Sequence, residues 1–306
     1  MARILTLTLN PALDLTVRLA HLEPGEVNRS ETLLTHAAGK GVNVAQVLAD
    51  LGHQVSVGGF LGEENPQAFD ALIARRGFGD AFIRVPGETR SNIKIAEREG
   101  RVTDINAPGP LVSERAQKEL LKMIAIIGPE FDAVVVAGSL PRGVSPQWFQ
   151  EMLEQLKSLG LKVALDTSGE ALRTGLQAGP WLVKPNTEEL AEVLGNATGA
   201  IHRLHQQGVE HVVVSDGAAG VTWYSPQTAL HATPPKVTVA STVGAGDSLL
   251  AGMLHGLLAG EAPEQTLRRA TAIAAMAVTQ IGFGINDDAQ LARLESGVHV
   301  RALTEQ

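Results

Sequence analysis

The run Ser241 to Gly256, STVGAGDSLLAGMLHG, places one acid in the first turn of a helix whose entry is almost bare of side chains. Gly244, Ala245 and Gly246 let their backbone N–H groups approach a ligand closely. At a helix N-terminus such groups are unpaired donors, and the helix dipole adds to their pull on an anion. Asp247 stands in the same turn. Donors beside a carboxylate suit phosphoryl transfer: the donors hold charge developing on the phosphoryl group, and the carboxylate takes a proton from the attacking hydroxyl. The same residues also read as a tight turn in which Asp247 offsets the helix dipole. The rest of the chain must decide between the two.

Other residues near expected strand ends could take part. Asp14, in the segment NPALD after the first strand, could accept paired hydroxyls of a polyol, or it could stabilise a turn. Gly39-Lys40-Gly41-Val42-Asn43 opens a helix with a lysine between glycines, an anion-binding arrangement. It is not a Walker A loop, because the earlier glycine and the Ser or Thr after the lysine are missing. Arg90, ahead of Asn92 and Lys94, is a candidate phosphate clamp, against the common case of a solvated arginine. Ser139, in GSLP, could offer a hydroxyl and a backbone N–H.

Lys184-Pro185-Asn186-Thr187-Glu188-Glu189 opens another helix, with Asn186 and Glu189 three apart. They could face one Mg²⁺ through its water shell, or form a capping box. Ser215-Asp216-Gly217-Ala218-Ala219-Gly220 leads into a strand rather than a helix, which argues against a dinucleotide fingerprint. It reads as a glycine turn at a nucleotide or as a plain hairpin.

Positioning these groups calls for a regular scaffold. Ile4–Leu9, Val55–Phe60, AVVVAG, KVALDT, WLVKPN and HVVVSDG read as short strands. They alternate with helical patterns at Gly41–Gly52, Pro66–Gly77, Pro146–Leu159, Glu188–Leu194 and Ala200–Gln207, and from Ala245 to about Ile281 the chain reads as helix. Such alternation predicts a parallel sheet covered on both faces, with ligands at the C-terminal strand ends. Leu13–Leu34 and Thr89–Asn106 break the rhythm by mixing charge with period-two apolar residues. They read as a small antiparallel sheet standing off the main body, either a flap that excludes water from a substrate or a mere edge extension. A small sheet with an apolar face is marginal by itself, so a homodimer through that face is expected.

Composition narrows the classes. Of 306 residues 44% are hydrophobic and 19% charged, and the net charge is −8, which argues against a nucleic-acid partner. The absence of cysteine removes disulfide and thiolate chemistry. The start, which passes from Arg3 into ILTLTL, is not that of a signal peptide, and no apolar run spans a bilayer, so a soluble cytoplasmic protein without a membrane partner is expected.

Together, Gly-Lys-Gly-Val-Asn, Lys184-Pro185-Asn186 with Glu189, Ser215-x-Gly217-x-x-Gly220 and Thr242-Val243-Gly244-Ala245-Gly246-Asp247 form an ordered set. In it the chain resembles the ribokinase-like carbohydrate kinases of the PfkB family, from Ile4 to about Ile285. The resemblance implies one kinase domain over 1–306. Its fold would be a three-layer α/β/α sandwich with a mostly parallel sheet and an antiparallel lid from about 13–34 and 89–106. Asp247 would be the base and Gly244–Gly246 the anion hole. Asp14, Gly39, Asn43 and Ser139 would hold the sugar, with Arg90 and Lys40 on its phosphate. Lys184, Asn186, Ser215, Gly217, Gly220 and Thr242 would line the ATP site, with Mg²⁺ organised by Asn186 and Glu189.

Within the family, TLNPALD, HAAGKGVNVA, TRSNIK and SLPRGVSP resemble the phosphosugar branch that acts on D-fructose 1-phosphate. Fructose 6-phosphate members tend to carry glycine where Lys40 stands, and basic residues where Glu26 and Asn28 fall. Tagatose 6-phosphate kinases share the Gly-Lys-Gly motif. A non-catalytic sugar-phosphate-binding regulator is the reading from another class. Between Leu194 and His211 the chain leaves room for only one short helix.

Overall fold

Strand β1 (Arg3–Thr8) shows how one sequence pattern builds two cores. Its Ile4 packs to one side of the sheet with Val42, Leu48, Leu249 and Met253, while Leu5 and Leu7 pack to the other with Leu120, Phe149 and Met152. Alternation along a strand sends neighbours to opposite faces, so a sheet apolar on both must be covered on both. The computed structural model describes residues 1–195 and 199–303.

In chain order there follow β2 (Ala12–Leu19), β3 (Thr32–Ala38), α1 (Lys40–Asp50), β4 (Gln54–Gly62), α2 (Gln67–Arg76), β5 (Gly79–Val85), β6 (Arg90–Glu97) and β7 (Val102–Asn106). Next come α3 (Glu114–Ile127), β8 (Ala133–Ala137), α4 (Pro146–Ser158), β9 (Lys162–Asp166), α5 (Gly169–Gln177), β10 (Leu182–Val183), α6 (Thr187–Leu194), α7 (Ala200–Gln206) and β11 (His211–Ser215). The chain ends with β12 (Val221–Tyr224), β13 (Ala229–Thr233), α8 (Ala245–Ala259), α9 (Pro263–Val278), α10 (Asp288–Ser296) and β14 (His299–Ala302).

The large sheet runs β14-β13-β12-β11-β10-β9-β8-β1-β4-β5. It is parallel from β11 through β5 and antiparallel from β11 to β14. The fold is therefore the expected three-layer sandwich, with α1, α8 and α9 on one face and α3, α4 and α5 on the other. Succession reverses at β1, whose neighbours are β4 and β8; such switch points leave a crevice at the carboxyl ends of the strands. Between α6 and β11 the described residues hold one short helix, α7, as expected; Asn196 to Thr198 lie outside the described residues.

The second sheet, order β3-β2-β6-β7, carries the segments that broke the α/β rhythm. Its outer ladders are antiparallel and its central ladder, β2 with β6, is parallel. The reason lies in the large sheet: β2 continues from the end of β1 and β6 from the end of β5. Two segments leaving the same edge run the same way. Period two then sorts the residues. Leu13, Leu15, Val17, Leu33, Ile93, Ile95 and Ile105 share one face by register, while Asp14, His36, Asn92 and Lys94 share the other.

Helix α8 is buried along most of its length because α1 and α9 pack against it. At Gly252 an added Cβ would stand 2.6 Å from the Cα of Ala270 in α9, so close helix approach needs a glycine there. That packing fixes where the first turn of α8 points.

Candidate active site

Asp247 lies at the third position of α8, behind the cap residue Gly244. Gly244 has φ of 82°, a left-handed backbone that favours glycine, and a Cβ there would meet the Phe283 ring at 2.4 Å. The turn leaves the N–H groups of Ala245, Gly246 and Asp247 as first-turn donors without intrahelical acceptors. The Asp247 side chain is buried, and its Oδ2 accepts a hydrogen bond from Asn43 Nδ2 at 2.9 Å. Its Oδ1 is buried without a hydrogen-bond partner among the described residues. A buried acceptor without a donor costs stability and points to a group that a ligand completes.

Lys40 and Asn43 reach this point from α1, where residues three apart share a face. The Lys40 ammonium stands 3.8 Å from Asp247 Oδ1 and 3.5 Å from Asp166 Oδ2. The buried Lys184, just past β10, places its ammonium 3.5 Å from the same Asp166 oxygen. Two ammonium groups and two carboxylates thus meet at the C-terminal strand ends. Burial pushes the Asp247 carboxyl above its usual range, Lys40 draws it back, and Asp166 raises it further. Lys40 is raised above its ordinary value, chiefly by Asp166 against the cost of burial, so it stays protonated. A protonated lysine beside a carboxylate that is reluctant to ionise suits a base that works only once substrate is in place.

Asp166, the last residue of β9, is the member the sequence reading passed over. The signal was available: KVALDT reads as a strand, and its final acid falls at the edge where ligands bind. Asn10, two residues beyond β1, was likewise not singled out. Its Nδ2 donates to Pro108 O at 3.3 Å and to Ser139 Oγ at 3.2 Å, so the loops after β1, β7 and β8 meet at one side chain.

The remaining candidates divide by place. Gly39 caps α1, and a Cβ there would stand 2.6 Å from Thr8 Cγ2. Asp14 lies on the polar face of the small sheet opposite Asn92 and His36; burial raises its carboxyl, and Lys94 and Arg90 oppose the rise. Arg90 opens β6 and spends three donors on the carbonyls of Asn10, Pro11 and Ala107. Asn186 and Glu189 form a complete capping box: Asn186 Oδ1 accepts from Glu189 N at 2.8 Å, and Glu189 Oε2 accepts from Asn186 N at 2.9 Å. Lys40 senses the Glu189 charge, so that carboxylate belongs to the same field.

Ser215 ends β11 and bridges to Asn186, and Thr187 Oγ1 donates to Ser215 O at 3.3 Å. Gly217 and Gly220 form the short turn into β12, where a Cβ on Gly220 would come within 2.1 Å of Ala232 O. Thr242 is exposed just ahead of the α8 turn. The Lys184, Asn186 and Ser215 group therefore lies along adjacent strands β10 and β11, beside the Asp247 turn but separate from the small sheet that carries Asp14 and Arg90.

Comparison with known proteins agrees with this geometry. Residues 7–289 match the model of the pfkB family carbohydrate kinases. The chain is 46% identical to the 1-phosphofructokinase of Vibrio cholerae, covering 98% of this chain and 97% of that one. It is 44% identical to the 1-phosphofructokinase of Haemophilus influenzae over 94% of each chain. Among solved structures, phosphofructokinase-2 from Escherichia coli in complex with potassium superposes with a TM-score of 0.87 at 26% identity, over 97% of this chain and 99% of that one. With the ordered motifs, the three-layer fold and the buried acid at the glycine turn all in agreement, this chain belongs to the pfkB family of carbohydrate kinases.

Proposed function

We propose that this sugar kinase transfers the γ-phosphoryl group of ATP to the 6-hydroxyl of D-fructose 1-phosphate, giving D-fructose 1,6-bisphosphate and ADP. The observation that carries the chemistry is the Asp247 Oδ1, buried at the head of α8 without a hydrogen-bond partner among the described residues, beside donors free to hold an anion. The sugar assignment is supported by relatives named 1-phosphofructokinase at 38–46% identity.

In this reading Asp247 Oδ1 accepts the proton of the attacking hydroxyl while Asn43 keeps the carboxylate in register through Oδ2. The N–H groups of Ala245 and Gly246 receive the charge that builds on the transferred phosphoryl oxygens. Lys40, 3.8 Å from Asp247 Oδ1 and raised by Asp166, Asp247 and Glu189, serves the phosphoryl group in flight. Asp14, Gly39 and Ser139 hold sugar hydroxyls, and the two N–H groups that Arg90 keeps in reserve take the 1-phosphate. Lys184, Asn186, Ser215, Gly217, Gly220 and Thr242 line the ATP site.

A Mg²⁺ ion fits this set of residues. The capping box leaves Glu189 Oε1 outside its reciprocal pair, and among the described residues no group of three acidic or histidine side chains is arranged to hold a metal ion by itself. That suits a cation that keeps water and phosphate oxygens and takes only one protein carboxylate. When bound, it would neutralise charge on the ATP phosphates.

The small sheet serves as a lid. Its apolar face, with Leu33 and Ile105 exposed, fits a second copy of the chain, giving a homodimer. Among the described residues no helix is long and apolar enough to cross a membrane. A supply of ATP places the reaction in the cytoplasm.

The test is a coupled ADP-release assay with Mg-ATP, comparing kcat/KM for fructose 1-phosphate, fructose 6-phosphate and tagatose 6-phosphate. A preference of about 100-fold for fructose 1-phosphate, about 2.7 kcal/mol of differential transition-state binding, is expected. A 6-phosphate sugar in first place would overturn the sugar assignment and leave base and anion hole standing. ADP release with none of them would overturn neither fold nor family but would sink this reaction.

A further inference from the structure

The lid joins the main body at four crossings: Leu9 to Pro11 into β2, Gly39 out of β3, Pro86 to Thr89 into β6, and Ala107 to Gly109 out of β7. One of these is tied down firmly. Thr89 exchanges two hydrogen bonds with the Asn65 side chain, at 2.7 and 2.9 Å, and its hydroxyl accepts from Gly62 N at 2.9 Å. Arg90 is the next residue. From that fixed base its guanidinium fans out to two other crossings: Nη2 to Asn10 O at 3.0 Å, Nε to Pro11 O at 3.4 Å, and Nη1 to Ala107 O at 2.9 Å. Asn10 adds a link by donating to Pro108 O.

We propose that Arg90 is a positioning residue that sets the lid against the main body by gripping both the entry to β2 and the exit from β7. A planar fork with donors on three nitrogens can serve three carbonyls spread around it. An ammonium is a point donor and cannot span them, and an amide reaches one. The grip also gives a half-buried cation, made harder to charge by burial, three carbonyl partners for its N–H groups. Asp14, whose charge acts on Arg90, sits two residues beyond the register partner of Arg90, Ala12, so the grip also fixes the position of Asp14 along β2. The significance for catalysis rests on the kinase reading; the mechanical role does not.

The experiment is amide hydrogen exchange on the unliganded full chain, with Arg90→Lys and Arg90→Gln beside the parent. Exchange of β2 and β6 backbone amides is expected to rise about tenfold or more in both variants, while β8 and α4 stay protected. Unchanged exchange in the small sheet would overturn the proposal; loss of protection in β8 as well would mean general unfolding and would overturn it too. A kinetic arm uses fructose 1-phosphate. A positioning role lowers kcat about tenfold in Arg90→Lys, beyond any rise in KM; a role confined to binding phosphate raises KM and leaves kcat unchanged, which overturns the catalytic part. If the parent does not turn over fructose 1-phosphate, the kinase reading has failed in its sugar, and hydrogen exchange still decides the lid.

Discussion

Replacing Asp247 by asparagine removes one negative charge and the proton acceptor while keeping the shape of the side chain. The Asn43 amide keeps an acceptor, because the new amide oxygen can occupy the place of Oδ2. Loss of general-base catalysis is worth about 10²–10⁴ in turnover, or about 2.7–5.4 kcal/mol in the barrier. Stability should move the other way. The Asp247 carboxyl is buried and raised above its ordinary value, first by desolvation, so above that raised value the folded protein carries a charge it would rather not bury. For a carboxyl raised by folding, the destabilisation is present above the folded value and vanishes below the unfolded one. Asp247→Asn should therefore raise Tm at pH 7 and 8, and the gain over the parent should shrink as pH falls toward 4. The parent's kcat should show an acid limb above the ordinary carboxylate range, and any residual activity of the variant should lack it. Steady-state ADP release, equilibrium binding of both substrates and thermal unfolding at several pH values check all of this. Turnover within tenfold of the parent, or a Tm that falls at every pH with binding lost, would refute the assignment of Asp247 as a buried base.

Gly244→Ala should cut turnover at least tenfold and destabilise by about 1–3 kcal/mol, because the residue holds φ of 82° and its new methyl meets Phe283; denaturant melts with kinetics measure both. Ile105→Glu, on the apolar face of the lid, should convert a dimer to a monomer in sedimentation with little change in the melting of the main body. His53 accepts a hydrogen bond from Ala2 N and shares one with His255, and burial, together with the charges of His255 and the N-terminal ammonium, lowers it to about 4. A histidine lowered by folding stabilises fully above its unfolded value of about 6.5 and loses that contribution as pH falls toward 4. Urea midpoints should thus drop between pH 7 and 5 by less in His53→Gln than in the parent.

Much of the architecture could be read from one dimension. The strands AVVVAG, KVALDT and HVVVSDG lie where their apolar runs predict, as do α1, α2 and α4, whose caps and periodicity are local properties of the chain. The lid hairpin Thr89–Asn106 was legible for the same reason, with Glu99-Gly100 at its turn. Less visible were β5, β13 and β14, with α3, α5 and α10. β13 and β14 are short edge strands held by antiparallel partners, and nothing in ALHAT or HVRA announces a strand without them. The first lid segment was read as 13–34, whereas strand structure stops at Leu19 and resumes at Thr32, running on to Ala38. Pairing along β2 as far as Ala38 opposite Ala12 sets that limit, and pairing is not a local property.

The site divides along the same line. The residue types and spacing of Gly244 to Asp247 determined a donor turn with an acid, because a helix N-terminus makes its own chemistry from a few consecutive residues. The spacing of Asn186 and Glu189 allowed both a capping box and a shared ion, and the fold built the box. Only tertiary structure decided that Lys40 faces Asp166 and Asp247, that Lys184 shares Asp166, and that Arg90 grips two hinges of the lid. Lys40 lies 126 residues from Asp166 and Arg90 lies 80 from Asn10, and the partners in the large sheet meet because parallel strands bring their C-terminal ends to one edge. Local geometry is written in neighbouring residues; the electrostatic balance of a buried site is a sum over distant ones, and only the folded chain performs that sum.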